Sequence, residues 1–331
     1  MAIYSRETEG QALVRKFAAH AKGKTFLITG PTPGGIGAET AISLAAGSPA
    51  LIILCGRSRA KAQPTIDAIR GVDASVSVKF VEVELASLES VRAAAQAILD
   101  DPEIAQIDAV INNAAVMACP QTRSADGLDY QLAINHLAHF VLTNRIMPKI
   151  LAAGIGARIV SVASSAHRYC GVRFEDPNYA VPGSYGETAS YGQSKTANIL
   201  FAVALNRRLA SRGVRAYAPT PGGVATNLQN YAKALGEVKM MELLEDAARQ
   251  VNGLSIAESR ARDPPKTLQQ GCASLIRAAI DPDIVSEEGV YIDNANLITD
   301  PQVIKPWATD AELAEKCWRL SEELVGEKFD I

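Results

Sequence analysis

The sequence contains few of the residues that build metal sites or disulfide frameworks. Its 331 residues include five cysteines and four histidines. The cysteine number is odd and no pair has CxxC spacing, so we expect reduced thiols in a cytoplasmic protein. His136 and His139 are three positions apart, but no cysteine or carboxylate completes a set of ligands around them. We therefore expect no metal.

Long apolar runs and strong net charge are also absent. No run of about 18 apolar residues is present, so no membrane span is expected. The first 23 residues are polar and charged and lack the apolar core of a signal peptide. A formal net charge of −3 argues against nucleic acid or an anionic membrane as the partner.

What the sequence does contain is enough apolar material for a large core. Hydrophobic residues make up 48% of the chain, and we find no internal repeat or low-complexity tract. The motifs described below extend over nearly all of the sequence. We therefore predict one domain over residues 24–331, preceded by a helical extension over residues 1–23.

A nucleotide-binding pattern begins near residue 24. Residues 24–29 form a short β-branched and aromatic run, residues 30–37 are rich in glycine, and residues 38–45 have helical periodicity. A strand, a glycine-rich turn and a helix in this order form the first unit of a Rossmann fold. The pattern predicts a phosphate site at the start of the helix. Its expected contacts are Gly30, Thr32, Gly35, Ile36 and Gly37.

The second expected strand, residues 50–55, ends at Gly56, Arg57 and Ser58. In dinucleotide-binding folds this corner meets the adenosine ribose, where an acidic residue indicates NAD and an arginine accommodates the 2′-phosphate of NADP. No acidic residue stands here, so Arg57 and Ser58, with Lys61 assisting, favour NADP(H) as the cofactor. The alternative is that Arg57 is a solvated surface charge.

Tyr191 and Lys195 are the most informative pair in the chain. Residues four apart on a helix share one face. A phenol has a reference pKa of about 10, and a nearby cation favours the phenolate, which makes the tyrosine usable as a general acid or base. Such pairs also occur by chance, so their position in the chain carries the argument.

With these motifs in view, the chain resembles the short-chain dehydrogenase/reductase family, and within it the retinol-dehydrogenase-like branch. The resemblance extends from about residue 24 to about residue 294. It implies an α/β fold: a single Rossmann-type, doubly wound parallel sheet flanked by helices, with a C-terminal substrate lid at about residues 228–265. Its supporting segments are residues 29–37, 112–115, 135–140, 158–165, the Tyr191/Lys195 pair and residues 221–226.

The resemblance also implies catalytic roles. Ser164 would hydrogen-bond the reacting carbonyl, although Ser165 is a rival because a slip of one residue exchanges the faces of a strand. Tyr191 would exchange a proton with the carbonyl oxygen. Lys195 would hold the nicotinamide ribose and lower the Tyr191 pKa. Asn135 would support a water that relays protons to Lys195; the alternative is a packing asparagine at a helix kink.

The cofactor contacts implied by the resemblance lie on three further segments. Asn113 and Ala114 would meet the adenosine ribose, Glu84 and Leu85 the adenine, and Val224 and Thr226 the nicotinamide carboxamide and the phosphates. The glycine-rich loop has one residue more than is usual in the family, so Gly34 and Gly35 compete for the role of its middle glycine. Glu84 stands where the family has an aspartate.

Two segments are expected to cover the site. Residues 166–185 form a longer connection than in compact relatives, and we expect an ordered loop at the active-site mouth; His167 within it is expected to be structural. Residues 228–251 have an amphipathic pattern that suits a lid over a lipophilic substrate, although simple packing on the core is equally compatible. This pattern comprises Tyr231, Leu235, Val238, Met240, Met241, Leu243 and Leu244.

The sequence predicts an NADPH-dependent oxidoreductase that interconverts a carbonyl and a secondary alcohol of a lipophilic small molecule. The alternative is a non-catalytic NADP-binding regulatory or scaffold protein, which has no need of Ser164, Tyr191 and Lys195 together. Residues 289–293 are expected to form the last strand, and residues 311–325 a C-terminal helix. Substrate identity, reaction direction and the presence of a homo-oligomer stay open.

Overall fold

The computed structural model describes residues 4–234 and 236–331. Its centre is one eight-stranded sheet in the order β3-β2-β1-β4-β5-β6-β7-β8. All neighbouring strands are parallel except the last pair. The strands are β1 (Thr25–Thr29), β2 (Leu51–Gly56), β3 (Ser77–Glu82), β4 (Ala109–Asn112), β5 (Arg158–Ser161), β6 (Arg215–Pro219), β7 (Tyr291–Asp293) and β8 (Asn296–Ile298).

Helices connect the strands and cover both faces of the sheet. They are α1 (Gly10–Lys16), α2 (Ala18–Ala21), α3 (Ile36–Ala45), α4 (Arg59–Val72), α5 (Leu88–Asp100), α6 (Tyr130–Leu132), α7 (Ala138–Arg145), α8 (Met147–Ala152), α9 (Glu187–Leu209), α10 (Asn230–Ala234), α11 (Glu237–Asn252), α12 (Ile256–Arg262), α13 (Leu268–Ile280), α14 (Pro306–Thr309) and α15 (Ala311–Val325).

Two apolar cores, one on each face of the sheet, explain why the central strands read as continuous hydrophobic runs. Every residue of β1 and of β4 is buried, as expected for parallel strands covered on both faces. One core lies among α5, α7, α9 and α15. The other lies among α1, α3 and α13. The predicted α/β sandwich of helices around a parallel sheet is confirmed.

The strand order determines where on the sheet the ligand crevice lies. After β3 the chain crosses back over β2 and β1 and adds β4 on the other side of β1. In such sheets the crevice lies at the carboxyl ends of the strands where the order reverses. The glycine-rich loop after β1 and the segment after β4 therefore meet at the same edge of the sheet.

The N-terminal segment packs on the domain through one close approach. A side chain at Gly10 would place its Cβ 2.4 Å from the sulfur of Cys272 on α13. Glycine at this position lets α1 lie directly against α13. Leu13, Val14 and Phe17 then join the apolar core beside α3 and α13.

The prediction that residues 289–293 form the last strand is wrong. β7 spans Tyr291–Asp293 and is followed by β8, which pairs with it antiparallel. The two strands join through Asn294 and Ala295, whose φ values are +49° and +57°. Two residues in the left-handed conformation make a tight hairpin turn. Alanine is not a residue that indicates such a turn, so the sequence pattern does not predict the hairpin. The C-terminal helix over residues 311–325 is confirmed.

The expected lid consists of three helices, α10, α11 and α12. The inner side of α11 places Met240 and Leu243 against Met117 and Ala118 of the segment after β4. Val238, on the outer side, is 76% exposed. Leu235, part of the expected pattern, lies outside the described residues.

Candidate active site

Tyr191 and Lys195 lie on the inner face of α9, and both are buried, at 6% and 2% exposure. The Lys195 Nζ lies 5.6 Å from the centre of the Tyr191 ring. It donates a hydrogen bond to the Val162 carbonyl oxygen at 2.8 Å, an oxygen that also accepts from Asn198 Nδ2 at 3.0 Å. The lysine head is therefore held at the carboxyl end of β5.

Burial sets the protonation of this pair. It raises the pKa of Tyr191 to about 12, opposed by a hydrogen bond with the Ser164 side chain. It lowers the pKa of Lys195 to about 7. The sequence predicts that Lys195 lowers the Tyr191 pKa. In this structure the Ser164 side chain lowers it, and the Lys195 ammonium is directed at the Val162 carbonyl.

Ser164 is the serine that meets the tyrosine. It follows β5 in extended conformation and caps the 3₁₀ segment Ser165–Arg168, where its Oγ accepts from the Ala166 N–H at 3.2 Å. Its side chain is also near enough to Tyr191 to lower the pKa of the phenol. Ser165 is the first residue of the 3₁₀ turn, so the chain has already turned away from the strand direction there.

Asn135 lies in a π-helical turn, Ala133–Leu137, inserted between α6 and α7. Its side-chain Oδ1 accepts from the Val116 N–H at 2.8 Å, and its Nδ2 donates to the Val116 carbonyl and the Ser194 hydroxyl, each at 2.9 Å. The side chain ties the segment after β4 to α9. The helix is irregular at Asn135, as the alternative of a packing asparagine at a helix kink expects. Such π-turns also occur often at functional sites.

Sequence reasoning missed a hydrogen-bonded chain from β1 to Asn135. The Thr29 Oγ1 accepts from the N–H groups of Asn113 and Ala114 at 3.0 and 2.9 Å. The Thr29 hydroxyl can therefore donate its own hydrogen to His139 Nε2, at 2.9 Å. His139 then carries its hydrogen on Nδ1 and donates it to the Asn135 carbonyl at 3.2 Å. Burial lowers the His139 pKa to about 3. The available signal was the spacing of His139 four residues after Asn135.

The glycine-rich loop has the shape of a phosphate cradle. Gly34 has φ +74°, which favours glycine. Gly35 has an ordinary extended backbone, caps α3, and donates its N–H to the Thr32 carbonyl at 3.1 Å. A side chain at Gly37 would place its Cβ 2.4 Å from Asn113 Nδ2, so only glycine fits there. The amino terminus of α3 is thereby open toward the loop.

The loop after β6 closes over the same cradle. The Asn227 Nδ2 donates to the Pro33 carbonyl at 3.1 Å. A side chain at Gly271 of α13 would collide with both Ile36 and Val224, so these two side chains meet over that helix. Thr226, just before Asn227, therefore lies beside the glycine-rich loop.

The remaining residues expected to bind the cofactor lie at the carboxyl ends of β1 to β4. The Arg57 Nη1 is 3.9 Å from Glu84 Oε2, and Glu84 Oε1 accepts from the Ala86 N–H at 3.0 Å. Ser58 caps α4, because its Oγ accepts from the Lys61 N–H at 3.4 Å. Leu85 is buried. A side chain at Gly30 would approach the Cα of Ala114 to 3.0 Å, so these two residues lie side by side.

His167 is held at both ring nitrogens. Its Nδ1 donates to the Ser164 carbonyl at 2.7 Å, and its Nε2 accepts from the Lys305 N–H at 3.3 Å. Burial lowers its pKa to about 4. A neutral imidazole with both nitrogens engaged positions Ser164 and is not available as a base.

Within residues 4–234 and 236–331, no group of three or more His, Cys, Asp or Glu side chains is arranged to hold a metal ion. The rings of His136 and His139 are engaged in hydrogen bonds to neighbouring residues. No helix in these residues combines the length and apolarity needed to cross a bilayer.

Known proteins match this chain in sequence over most of its length. The family model described as short chain dehydrogenase matches residues 24–235. Mouse retinol dehydrogenase 14 is 35% identical over 316 residues, covering 92% of this chain and 86% of its own. Human retinol dehydrogenase 13 is 33% identical over 304 residues, covering 92% and 85%. A short-chain dehydrogenase/reductase of Penicillium roqueforti, prx1, is 31% identical over 315 residues, covering 92% and 86%.

Solved structures share the fold. An uncharacterised protein from Mycobacterium paratuberculosis superposes with a TM-score of 0.67 at 28% identity, covering 94% of this chain and 96% of its own. A structure described as a short chain dehydrogenase from Escherichia coli CFT073, complexed with NADPH, has a TM-score of 0.57 at 21% identity, covering 83% and 98%. At that identity the likeness shows the fold.

A Rossmann-type sheet with Tyr191, Lys195 and Ser164 at its carboxyl edge defines the class of nicotinamide-dependent oxidoreductases. The chain belongs to the short-chain dehydrogenase/reductase family, in its retinol-dehydrogenase-like branch.

Proposed function

We propose that this protein is an NADPH-dependent oxidoreductase. It transfers hydride between the nicotinamide and a carbonyl or secondary alcohol of a lipophilic small molecule, with Tyr191 as the general acid or base. The observation that carries the proposal is the placement of the buried Tyr191 one helical turn from the buried Lys195, with Ser164 near enough to lower the Tyr191 pKa and the glycine-rich loop at the same sheet edge. A scaffold protein needs the loop but not this trio.

The residues at that edge fit a dinucleotide. Gly37 leaves room where a side chain would strike Asn113, and the amino terminus of α3 offers N–H groups and a positive dipole end to a pyrophosphate. Lys195 presents an ammonium within reach of a ribose near Tyr191. When bound, the cofactor would supply or accept the hydride.

The proton chemistry follows from burial. With a pKa of about 12, the Tyr191 phenol stays protonated at neutral pH, which is the form that donates a proton to the oxygen of a carbonyl being reduced. Ser164 binds the same oxygen and supports the developing negative charge. The reverse, oxidative direction requires the phenolate, which a cation brought toward Tyr191 would favour. Lys195, directed at the Val162 carbonyl in this structure, is the cation proposed for that role.

Preference for NADPH rests on the corner after β2. The Arg57 side chain is 70% exposed and its ion pair with Glu84 is long, so this pair is weak in water. A 2′-phosphate at this corner would replace Glu84 as the partner of Arg57 through charge-assisted hydrogen bonds. Glu84 is held back by the Ala86 N–H, which limits its repulsion of the phosphate.

A lipophilic substrate is supported by the lid. Met240 and Leu243 of α11 face Met117 and Ala118, and Tyr169, next to Gly192 on α9, lies near Tyr191. Apolar side chains above a polar reacting group are typical of small-molecule sites. Met side chains adapt to irregular apolar shapes.

We also propose a reducing compartment such as the cytoplasm. The five cysteines are free, and burial raises the pKa of Cys55, Cys272 and Cys317 to about 12, which makes them inert thiols. A fluorescent fusion tests the location.

Tyr191→Phe is the decisive variant. Loss of the proton donor should lower kcat by about 10²–10⁴-fold, while the Kd for NADPH stays within about threefold, because the ring and its packing remain. The assay follows NADPH absorbance with a panel of ketones and aldehydes of increasing chain length. Tyr217→Phe, which removes a phenol hydroxyl from β6 in the core, is the matched control.

Two results would contradict the proposal. If Tyr191→Phe keeps more than about a tenth of the wild-type kcat, Tyr191 is not the general acid. If the wild type binds NADPH but turns over no member of the panel, in either direction, the NADP-binding scaffold is favoured.

A further inference from the structure

A cavity opens at the end of the sheet opposite to Tyr191. We call it the basal cavity, and it is bordered by His20, Lys24, Ile155, Arg158, Arg215 and Val285. Its volume is about 420 Å³, which is in the size range of small-molecule sites. None of the described residues that line it is acidic, although the protein as a whole has a net charge of −3.

The strand order brings the basic side chains of this cavity together. Lys24 directly precedes β1, and Arg158 and Arg215 are the first residues of β5 and β6. These strands are parallel neighbours in the order β1-β4-β5-β6, so their amino ends lie along one edge. The cluster is thus built into the sheet and does not depend on a flexible loop.

Arg158 is a buried cation that forms no ion pair with any of the residues that the structure describes. It is 6% exposed. Its Nη1 donates to the carbonyl oxygens of Gly156 and Ala157 at 3.0 and 3.4 Å, and within residues 4–234 and 236–331 its Nε has no hydrogen-bond partner. Burial lowers its pKa and the nearby Arg215 lowers it further. Such a group is costly unless something pairs with it.

The carboxylates nearest to this cluster are already engaged. Asp108 accepts from Lys24 Nζ and from the Thr25 N–H, both at 2.9 Å. Asp281 accepts from Arg277 Nε at 2.9 Å and is the weakest of the influences on the Arg158 pKa. Arg158 and Arg215 therefore border the cavity without an ion pair to a carboxylate in the described part of the chain.

Helix ends do not account for the cluster either. α9 and α13 both end at the cavity, and their last carbonyls attract cations. Arg158, however, donates to the loop carbonyls of Gly156 and Ala157 and to neither helix.

The mouth of the cavity is apolar. Ile155 is 93% exposed and Val285 is 44% exposed. Exposed apolar side chains beside a buried basic group form the two halves of a site for a molecule with a charged head and a hydrocarbon body.

We propose that the basal cavity binds an amphipathic oxyanion. Arg158 and Arg215 hold its phosphate or carboxylate group, whose planar or tetrahedral oxygens match the arginine fork, and its hydrocarbon part lies against Ile155 and Val285. The ligand is distinct from the substrate, because Tyr191 lies at the other end of the strands.

Isothermal titration calorimetry with octyl phosphate tests this site. Inorganic phosphate lacks the hydrocarbon part and octanol lacks the charge, so both should bind more weakly than octyl phosphate. Arg215→Met should weaken octyl phosphate binding by about ten- to a hundredfold, the worth of one charge-assisted contact. Arg212→Met, an exposed arginine outside the cavity, should leave it unchanged. Ile155→Ser should weaken binding of octyl phosphate but not of phosphate.

Further variants test whether octyl phosphate binds at another place or whether a substitution unfolds the protein. Arg158→Met should act like Arg215→Met, and the urea midpoint of each variant shows whether it is folded. Arg57→Ala should bind octyl phosphate as the wild type does; if it does not, the probe sits at the nucleotide corner and the proposal fails. Equal weakening by Arg212→Met and Arg215→Met, or no binding by the wild type, also overturns it.

Vesicles identify the source of the oxyanion. We expect no sedimentation with phosphatidylcholine vesicles containing phosphatidic acid, because the cavity is sized for a whole small molecule. Sedimentation that Arg215→Met abolishes would assign the same oxyanion chemistry to a lipid headgroup instead of a free molecule.

Discussion

At the scale of single residues, burial decides which groups can do chemistry. Tyr191 and Lys195 are a common sequence pair, but their pKa values of about 12 and about 7 arise because both side chains are removed from water. His167 is the converse case. It lies three residues after Ser164, yet both of its ring nitrogens are engaged in hydrogen bonds.

The two adjacent serines give a prediction at this scale. Ser164→Ala should lower kcat by about 10–10³-fold, because it removes the hydroxyl beside Tyr191 that we propose binds the reacting oxygen. Ser165→Ala should lower kcat less than threefold, since Ser165 begins the 3₁₀ turn. Steady-state assays of both variants decide it, and the reverse ranking would show that Ser165 meets the substrate.

Arg57 gives a second prediction. Charge-assisted bonds are worth about 1.5–3 kcal/mol each, so Arg57→Ala should raise KM for NADPH by about 10–100-fold and leave KM for NADH nearly unchanged. The 2′-phosphate is remote from the hydride, so kcat should move little.

Arg70→Ala is the matched control for that experiment, because it removes the same charge from the far end of α4. If the wild type uses NADH as well as NADPH, Arg57 is a solvated surface charge.

At the scale of elements, α9 and α11 form the two walls of the proposed substrate site. Sixteen of the 23 residues of α9 are buried, among them Tyr191 and Lys195. α11 has one side packed on Met117 and Ala118 and one side exposed. The adjacent residues Met240 and Met241 fall on different sides of α11.

These methionines provide an internal comparison. Met240→Ala removes apolar surface facing the site, worth about 1–2 kcal/mol, and should raise KM for a long-chain ketone roughly tenfold while a short-chain ketone is little affected. Met241, which is 42% exposed, should tolerate alanine without a change in KM. If Met240→Ala lowers the melting temperature and leaves KM unchanged, the lid residues only pack on the core.

At the scale of the whole molecule, buried histidines couple stability to pH. Burial lowers the pKa values of His136 and His167 to about 4 and of His139 to about 3, from 6.5. Between pH 6.5 and about 4 the unfolded chain therefore binds protons that the folded chain does not. The free energy of unfolding should fall as the pH falls through this window, by up to about 1.4 kcal/mol per histidine per pH unit.

Urea unfolding at pH 6.5 and pH 5 measures this effect. The raised pKa of the buried Asp129 acts in the opposite direction, so a variant is needed to isolate the histidines. His136→Gln should show a smaller loss than the wild type by up to about 2 kcal/mol. His20→Gln, the same change at an exposed position, should leave the loss unchanged; equal losses in all three proteins would contradict the prediction.

Local sequence patterns determined the first strand–loop–helix unit, the placement of Tyr191 and Lys195 on one helix face, and the C-terminal helix over residues 311–325. Each depends on a period of two or 3.6 residues or on glycine, which neighbouring positions in the chain reveal. The family resemblance supplied the doubly wound parallel sheet and the roles expected of the site residues.

Only the tertiary structure decided how distant segments meet. Ser164 faces Tyr191 because of where β5 ends and the 3₁₀ turn begins. The hydrogen bond between Thr29 and His139 joins residues 110 positions apart in the sequence. The basal cavity is bordered by Lys24, Arg158 and Arg215, which lie at the starts of three different strands. Local periodicity carries no information on such encounters, and the pKa values of Tyr191 and Lys195 depend on the burial that those encounters create.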